Sequence, residues 1–229
     1  MLSNPDTIMK HLIFPSLYLA VTLAVAASEK TRCQIAFLSV GASASDLSYA
    51  SGDGLHKVAA TPTAISDSVS YSGAPRITFH TADPKQAVTS CDLPVGASTV
   101  LVVLRRTESA GDDATAGEWS ATAHDLSPQR VRPGDFLWIN LSGGSVVASL
   151  ADEVQKIANG GSASFRVDPG YGMISARLAE SLADDKKAGK RLFATSWAEK
   201  PKQANVIVVT KGESRAYPVT VSRHLYAPE

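Results

Sequence analysis

The chain contains two runs that are apolar at every position, Val100-Leu101-Val102-Val103-Leu104 and Val206-Ile207-Val208-Val209, one in each half. A strand with one wet face alternates polar and apolar residues. A strand apolar on both faces needs protein above and below it. Each run therefore belongs at the centre of a sheet whose second side is covered by further chain. The runs also sit in matching surroundings. Phe37-Leu38-Ser39-Val40 is echoed by Phe136-Leu137-Trp138-Ile139-Asn140, and Ser98–Leu104 by Ala204–Thr210, so the second half retraces the first.

Strand patterns dominate both halves, and helical periodicity is weak. In the first half strands are expected at Cys33–Val40, Asp46–Ala50, Leu55–Ala60, Ser68–Tyr71, Arg76–Thr81, Val88–Asp92, Ser98–Arg105 and Trp119–His124. In the second they fall at Asp135–Leu141, Ser145–Leu150, Val154–Ile157, Ser162–Val167, Met173–Ala179, Arg191–Trp197, Ala204–Thr210 and Ala216–Leu225. Short strands separated by turn-forming clusters such as Ser51-Gly52-Asp53-Gly54 and Asn159-Gly160-Gly161 are the pattern of a sandwich. Pro218 places the last strand at an edge or a bulge. Arg105–Gly117 reads as a polar loop, and Glu180–Lys190 as a second long loop or a short helical turn. The expected architecture is all-β: two tandem, duplicated immunoglobulin-like antiparallel β-sandwich halves packed together. Residues 27–126 form the first repeat and 135–229 the second. The Pro-containing link 127–134 is stiff enough to hold them in a fixed orientation.

Residues 1–26 read as a signal peptide: Lys10 and His11, an apolar stretch from Leu12, and Ala24-Val25-Ala26 as a small-residue cleavage site. The stretch is short and broken by Pro15, Ser16 and Thr22, which favours cleavage over a membrane anchor. The expected location is the periplasm or the exterior, with no stable membrane insertion after cleavage. There Cys33 and Cys91 are expected to form one disulfide, closing a loop worth at most about 4 kcal/mol. Two buried thiols are the alternative. Lys plus Arg and Asp plus Glu each count 22, so the chain lacks the basic surplus of a nucleic-acid binder.

Catalytic signals are weak. His56, His80, His124 and His224 fall within strand patterns, without metal-ligand spacing. His124-Asp125 point to opposite faces of a strand, which weakens a triad reading. Gly96-Ala97-Ser98 and Gly160-Gly161-Ser162 lack the closing glycine and following helix of a nucleophile elbow. No catalytic residue, metal or cofactor is expected. The aromatic residues Trp119, Trp138, Trp197 and Tyr171 could form a platform for sugar rings, against the commoner fate of core packing. Asn140-Leu141-Ser142 is a formal glycosylation sequon.

The segments Val40-Gly41-Ala42-Ser43-Ala44-Ser45-Asp46-Leu47-Ser48-Tyr49-Ala50-Ser51-Gly52 and Asp92-Leu93-Pro94-Val95-Gly96-Ala97-Ser98-Thr99-Val100 resemble those of an uncharacterised class of bacterial exported repeat domains. That resemblance implies a cell-envelope or secreted β-sandwich and carries over no site residue. The expected function is that of an exported, non-catalytic structural or protein-interaction protein. The alternative is a carbohydrate-binding module using exposed tryptophans. The partner is an envelope protein or a glycan of unknown identity.

Overall fold

The computed structural model describes residues 30–52, 54–81, 86–107, 118–168, 170, 172–181 and 188–227. The expected signal segment, Tyr171, and residues 108–117 and 182–187 of the two polar stretches lie outside the described residues. Every strand read from the sequence is found, with shifted ends. In the first half these are β1 (Thr31–Val40), β2 (Ser48–Ser51), β3 (Gly54–Lys57), β4 (Val69–Gly73), β5 (Arg76–His80), β6 (Ala87–Asp92), β7 (Thr99–Thr107) and β8 (Glu118–Asp125). In the second they are β9 (Phe136–Leu141), β10 (Val146–Leu150), β11 (Glu153–Ile157), β12 (Ser162–Phe165), β13 (Met173–Ser181), β14 (Ala188–Ala198), β15 (Ala204–Lys211) and β16 (Val219–Tyr226).

The strands form four sheets of four strands each. The first half has an inner sheet, β4-β1-β7-β8, and an outer sheet, β3-β2-β5-β6. The second half repeats that order strand for strand, with an inner sheet β12-β9-β15-β16 and an outer sheet β11-β10-β13-β14. Each half also places one parallel pair at the same position, β1 with β7 and β9 with β15, among otherwise antiparallel pairs. The duplication inferred from short sequence echoes is thus a duplication of topology. Pro218 immediately precedes β16, an edge strand of its sheet, where a missing N–H costs no ladder bond.

Three apolar layers hold the stack together. One lies inside the first sandwich and includes Ile35, Phe37, Tyr49, Phe79, Val100, Val102 and Leu104. Another lies inside the second and includes Phe136, Trp138, Phe165, Leu178, Ile207 and Val209. Between them, the two inner sheets pack face to face through Ala36, Leu38, Leu101, Val103, Leu137, Ile139, Val206 and Val208. Ala36 opposes Leu101 and Leu38 opposes Val103 across the first parallel pair, as Leu137 opposes Val206 and Ile139 opposes Val208 across the second. Alternate residues of the double-faced runs therefore serve alternate cores. The link joins this middle layer: Val131 is fully buried in it, and its N–H donates to Ser127 O at 2.9 Å. Arg105 also crosses it, donating from Nη1 to Leu141 O at 3.0 Å.

Two histidines face this middle layer in equivalent places. His124 opposes Leu101 across β7–β8, and His224 opposes Val206 across β15–β16. Each ring meets a hydroxyl two residues earlier, Thr122 Oγ1 and Ser222 Oγ, at 3.0 Å. Burial pushes the His124 pKa down to about 4. Burial also lowers His224, against a smaller opposing pull from the Thr63 carbonyl.

Two tests follow from this packing. Leu38→Ala, at a fully buried site between the halves, is expected to destabilise the chain by about 3 kcal/mol, read as a lowered urea midpoint. A cost below about 1 kcal/mol would mean that the halves do not depend on that layer. The second test concerns pH. A folded-state histidine pKa below its unfolded value leaves stability intact above about pH 6.5 and removes it as pH falls towards 4. For His124 this amounts to about 3 kcal/mol. Asp135, whose carboxyl burial pushes upward, works in the opposite direction at lower pH. Urea midpoints should therefore drop between pH 6.5 and 4 in the native chain and drop less in His124→Gln. Equal slopes in the two proteins would remove His124 as the cause.

Candidate functional site: an open cleft between two sheet edges

In the first half the edge strands β3 and β4 are joined by eleven residues, 58–68, whereas β11 and β12 are joined by only four, 158–161. The longer link does not close the sandwich. It runs along β1 instead: Ser39 N donates to Thr61 O at 3.1 Å, Ser66 N to Phe37 O at 2.9 Å, and Phe37 N to Ser66 Oγ at 2.9 Å. Ile65 drops into the middle layer. Covering β1 in this way leaves a cleft between the β3 and β4 edges.

Two adjoining cavities of about 600 Å³ each occupy the cleft, and both are lined by His56 and Ser70. One extends past Arg32, Gln34, Tyr71 and Ser72, the other past Phe37, Tyr49, Lys57, Asp67 and Val69. Aromatic rings form the floor. Tyr49 lies 5.3 Å from Phe37 and 6.5 Å from Tyr71 between ring centroids, and His56 stacks on Tyr49 at 5.8 Å. His56 Nε2 is also 3.3 Å from Ser51 O. These floor rings are covered, with Phe37 at 2% and Tyr49 at 3% exposure. The rim is open: all four residues of β3 are exposed, as are Val69 and Ser70. Burial raises the Tyr49 and Tyr71 phenol pKa values, so neither ring acts as a base near neutrality.

One end of the cleft is closed by the β2–β3 turn. Gly52 adopts φ 61°, a conformation that favours glycine, and its N–H donates to Ser72 O at 2.6 Å. Ser51 Oγ accepts from Ser72 N at 3.0 Å.

In the second half the same position is bridged and narrower, with a cavity of about 290 Å³ left beside Glu153, Ser164 and Arg166. Gln155 stands where His56 stands in the repeat, opposite Ala148 rather than Tyr49. Its Nε2 donates across the gap to Ser164 O at 2.8 Å. Phe165 takes the place of Val69, opposing Phe136 as Val69 opposes Ile35, and is fully buried.

The residues singled out by sequence go elsewhere. Trp138 is 0% exposed, packed at 6.2 Å from Phe165 and 5.8 Å from Trp197 in the second core. The physical reason is that β9 has no wet face: Leu137 and Ile139 point to the other half, while Phe136 and Trp138 point into their own sandwich. Trp119 is buried in the first core, with Arg106 6.0 Å from its ring. Trp197 is half-buried, stacked on Phe136 at 5.9 Å and beside Arg223 at 5.6 Å. The three indoles thus occupy two separate cores and share no surface. Tyr171, the fourth member of the expected platform, lies outside the described residues.

Cys33 and Cys91 stand as free, buried thiols rather than as the expected bridge, although β1 and β6 present them to the same core. Burial pushes the Cys91 thiol up to about 12, so it stays in its unreactive protonated form. His124 and Asp125 do not pair: His124 meets Thr122, while Asp125 Oδ1 accepts from Ser127 N at 2.8 Å. Asn140 of the sequon is 0% exposed, its amide donating to Gly144 O and Ile157 O and accepting from Ser142. Among the described residues no cluster of His, Cys, Asp and Glu could hold a metal ion. No protein-family model matches the sequence, and no curated protein matches it.

Of the cleft residues, Arg32, Tyr49, Lys57 and Val69 are not singled out by sequence, and His56 is weighed only as a metal ligand or base. The signal that marks them is the unequal link between otherwise matching strands, visible only once the halves are aligned strand by strand.

Indole burial gives a direct check. Native fluorescence should be blue-shifted, with iodide reaching Trp197 but not Trp138 or Trp119. Fully quenchable, red-shifted emission would place Trp138 at the surface and restore the sugar platform.

Proposed function

We propose that this chain is an exported, non-catalytic interaction protein of the cell envelope or exterior, and that it takes a protein partner in the cleft between β3 and β4. The supporting observation is that cleft. A duplicated fold supplies its own control: one copy is bridged by Gln155 and filled by Phe165, leaving about 290 Å³, while the other keeps two adjoining cavities of about 600 Å³ each between its two edges. Edge strands are ordinarily short, charged or covered, because free N–H and C=O groups recruit other chains. An edge left open beside an aromatic floor suits recognition by strand addition. The buried tryptophans favour this reading over the carbohydrate one.

The experiment is affinity capture from the producer's own envelope, with the mature chain and a Val69→Phe variant side by side. Val69 is 42% exposed, so the larger ring is accommodated at the rim and fills the cleft as Phe165 fills its counterpart. The expected result is a protein partner retained by the native chain and lost from the variant, with unchanged thermal unfolding. Equal retention by both chains would move the binding site away from the cleft. Retention of glycan alone would favour the carbohydrate reading.

A further inference from the structure

We infer that the partner segment is an extended acidic polypeptide strand that pairs with the free edge of β3, and this rests on the cleft being the interaction site. Hydrogen-bond parity identifies the pairing groups. Val58 N donates to Leu47 O at 2.9 Å, which makes 47 with 58 a hydrogen-bonded pair in the β2–β3 register. Antiparallel ladders alternate, so Tyr49–His56 and Ser51–Gly54 are also bonded pairs. Leu55 and Lys57 therefore turn their N–H and C=O away from β2, outward at the edge. The same reasoning applies across the cleft. The Ser72 main chain points outward to Gly52 and Ser51, so that of Ser70, two residues earlier, points outward as well. Gln34, its partner on β1, sends its own N–H the other way, to Ser98 O at 2.8 Å. Main-chain groups at Leu55, Lys57 and Ser70 thus flank the cleft from both sides.

That arrangement selects a polypeptide. A sugar ring would need an exposed aromatic face, and Phe37, Tyr49 and Tyr71 are at most 4% exposed. A strand needs only edge hydrogen bonds and room for its alternate side chains, and both are present. Apolar residues on its inner face would cover His56 and Val69, while those on the outer face would lie along Leu55, which is 56% exposed.

Charge then selects the kind of strand. Among the described lining residues, Arg32 and Lys57 are exposed cations, one at each of the two adjoining cavities. The only carboxylate among them is Asp67. The cleft is a local positive site on a chain whose formal net charge is zero, so the preference arises from placement and not from bulk attraction.

The test uses short capped peptides in which valine alternates with glutamate, lysine or serine, bound to the mature chain and followed by fluorescence anisotropy and amide NMR. The glutamate peptide is expected to bind about tenfold more tightly than the lysine peptide at low salt, an advantage that shrinks as salt rises. Amide shifts should fall within Gly54–Lys57 and Val69–Ser72. N-methylation of alternate peptide amides on the pairing edge should abolish binding, whereas methylation on the other edge should not. The double charge reversal Arg32→Glu with Lys57→Glu, at two exposed sites, should invert the preference. Equal binding of all three peptides in the cleft would overturn the acidic preference and leave the cleft reading intact. Tolerance of methylation on either edge would overturn strand pairing. Absence of cleft shifts with every peptide would overturn both this inference and the reading beneath it.

Discussion

Face-to-face packing of the two inner sheets is the constraint on which the rest of the molecule depends. Each inner sheet is centred on a parallel pair, β1 with β7 or β9 with β15, and those strands have no solvent face. Leu101 and Val103 belong to the layer between the halves, whereas Val100, Val102 and Leu104 belong to the first sandwich. Neither parity of the run can therefore carry a polar residue without a buried partner. Asn205 shows the condition under which one is allowed. It is fully buried on β15, but its amide donates to Asp135 O at 3.2 Å and its oxygen accepts from Arg223 Nε at 2.9 Å. A buried amide so bonded avoids the desolvation penalty that an unpaired one would suffer.

This explains which parts of the fold were legible in the sequence. Strand positions were, because a strand's period of two is written directly in residues such as Ser164-Phe165-Arg166. The central place of the valine runs was also readable, since double-sided apolarity has few alternatives to double-sided burial. The fate of Trp138 was not. A strand's period of two puts Trp138 on one face with Phe136 and Asn140, but does not say whether that face is wet. Only the packing of Leu137 and Ile139 against the other half leaves its opposite side as core. The parallel pairing of β1 with β7 was equally hidden, because partners far apart in sequence leave no local signature.

The cleft was illegible for a different reason. Its rim residues, Arg32, His56, Lys57 and Ser70, look like any solvated strand face, and nothing in their own identity marks them. What makes the site is the route of the chain between β3 and β4. A four-residue connection must turn straight from one sheet edge to the other, as 158–161 does. Eleven residues can detour along β1, and the backbone bonds from Ser39 and Ser66 satisfy the groups that the detour would otherwise leave unpaired. Link length is a property of the alignment between repeats, not of any motif.

One position in the repeat shows how the copies came to differ physically. Ser39 and Asn140 are equivalent, opposing Leu104 and Val209 on the parallel partner strands. Asn140 extends far enough for Nδ2 to reach Ile157 O at the end of β11 and Gly144 O in the β9–β10 turn, which ties the outer sheet's edge to the inner sheet. The serine side chain is shorter and makes neither contact, although its main chain, like that of Asn140, is bonded by the following link, Ser39 N to Thr61 O and Asn140 N to Gly161 O. The residue that would draw β3 towards β1 is thus absent from the copy with the long link. Gln155 bridges the two edges in the second half by reaching Ser164 O, while His56 lies flat on Tyr49 and turns towards its own hairpin. A short side chain, a long link and a ring folded back on its neighbour all act in the same direction. The open edge of the first sandwich is consequently specified at several separate places in the sequence, Ser39, the 58–68 link, His56 and Val69, and not by any single motif.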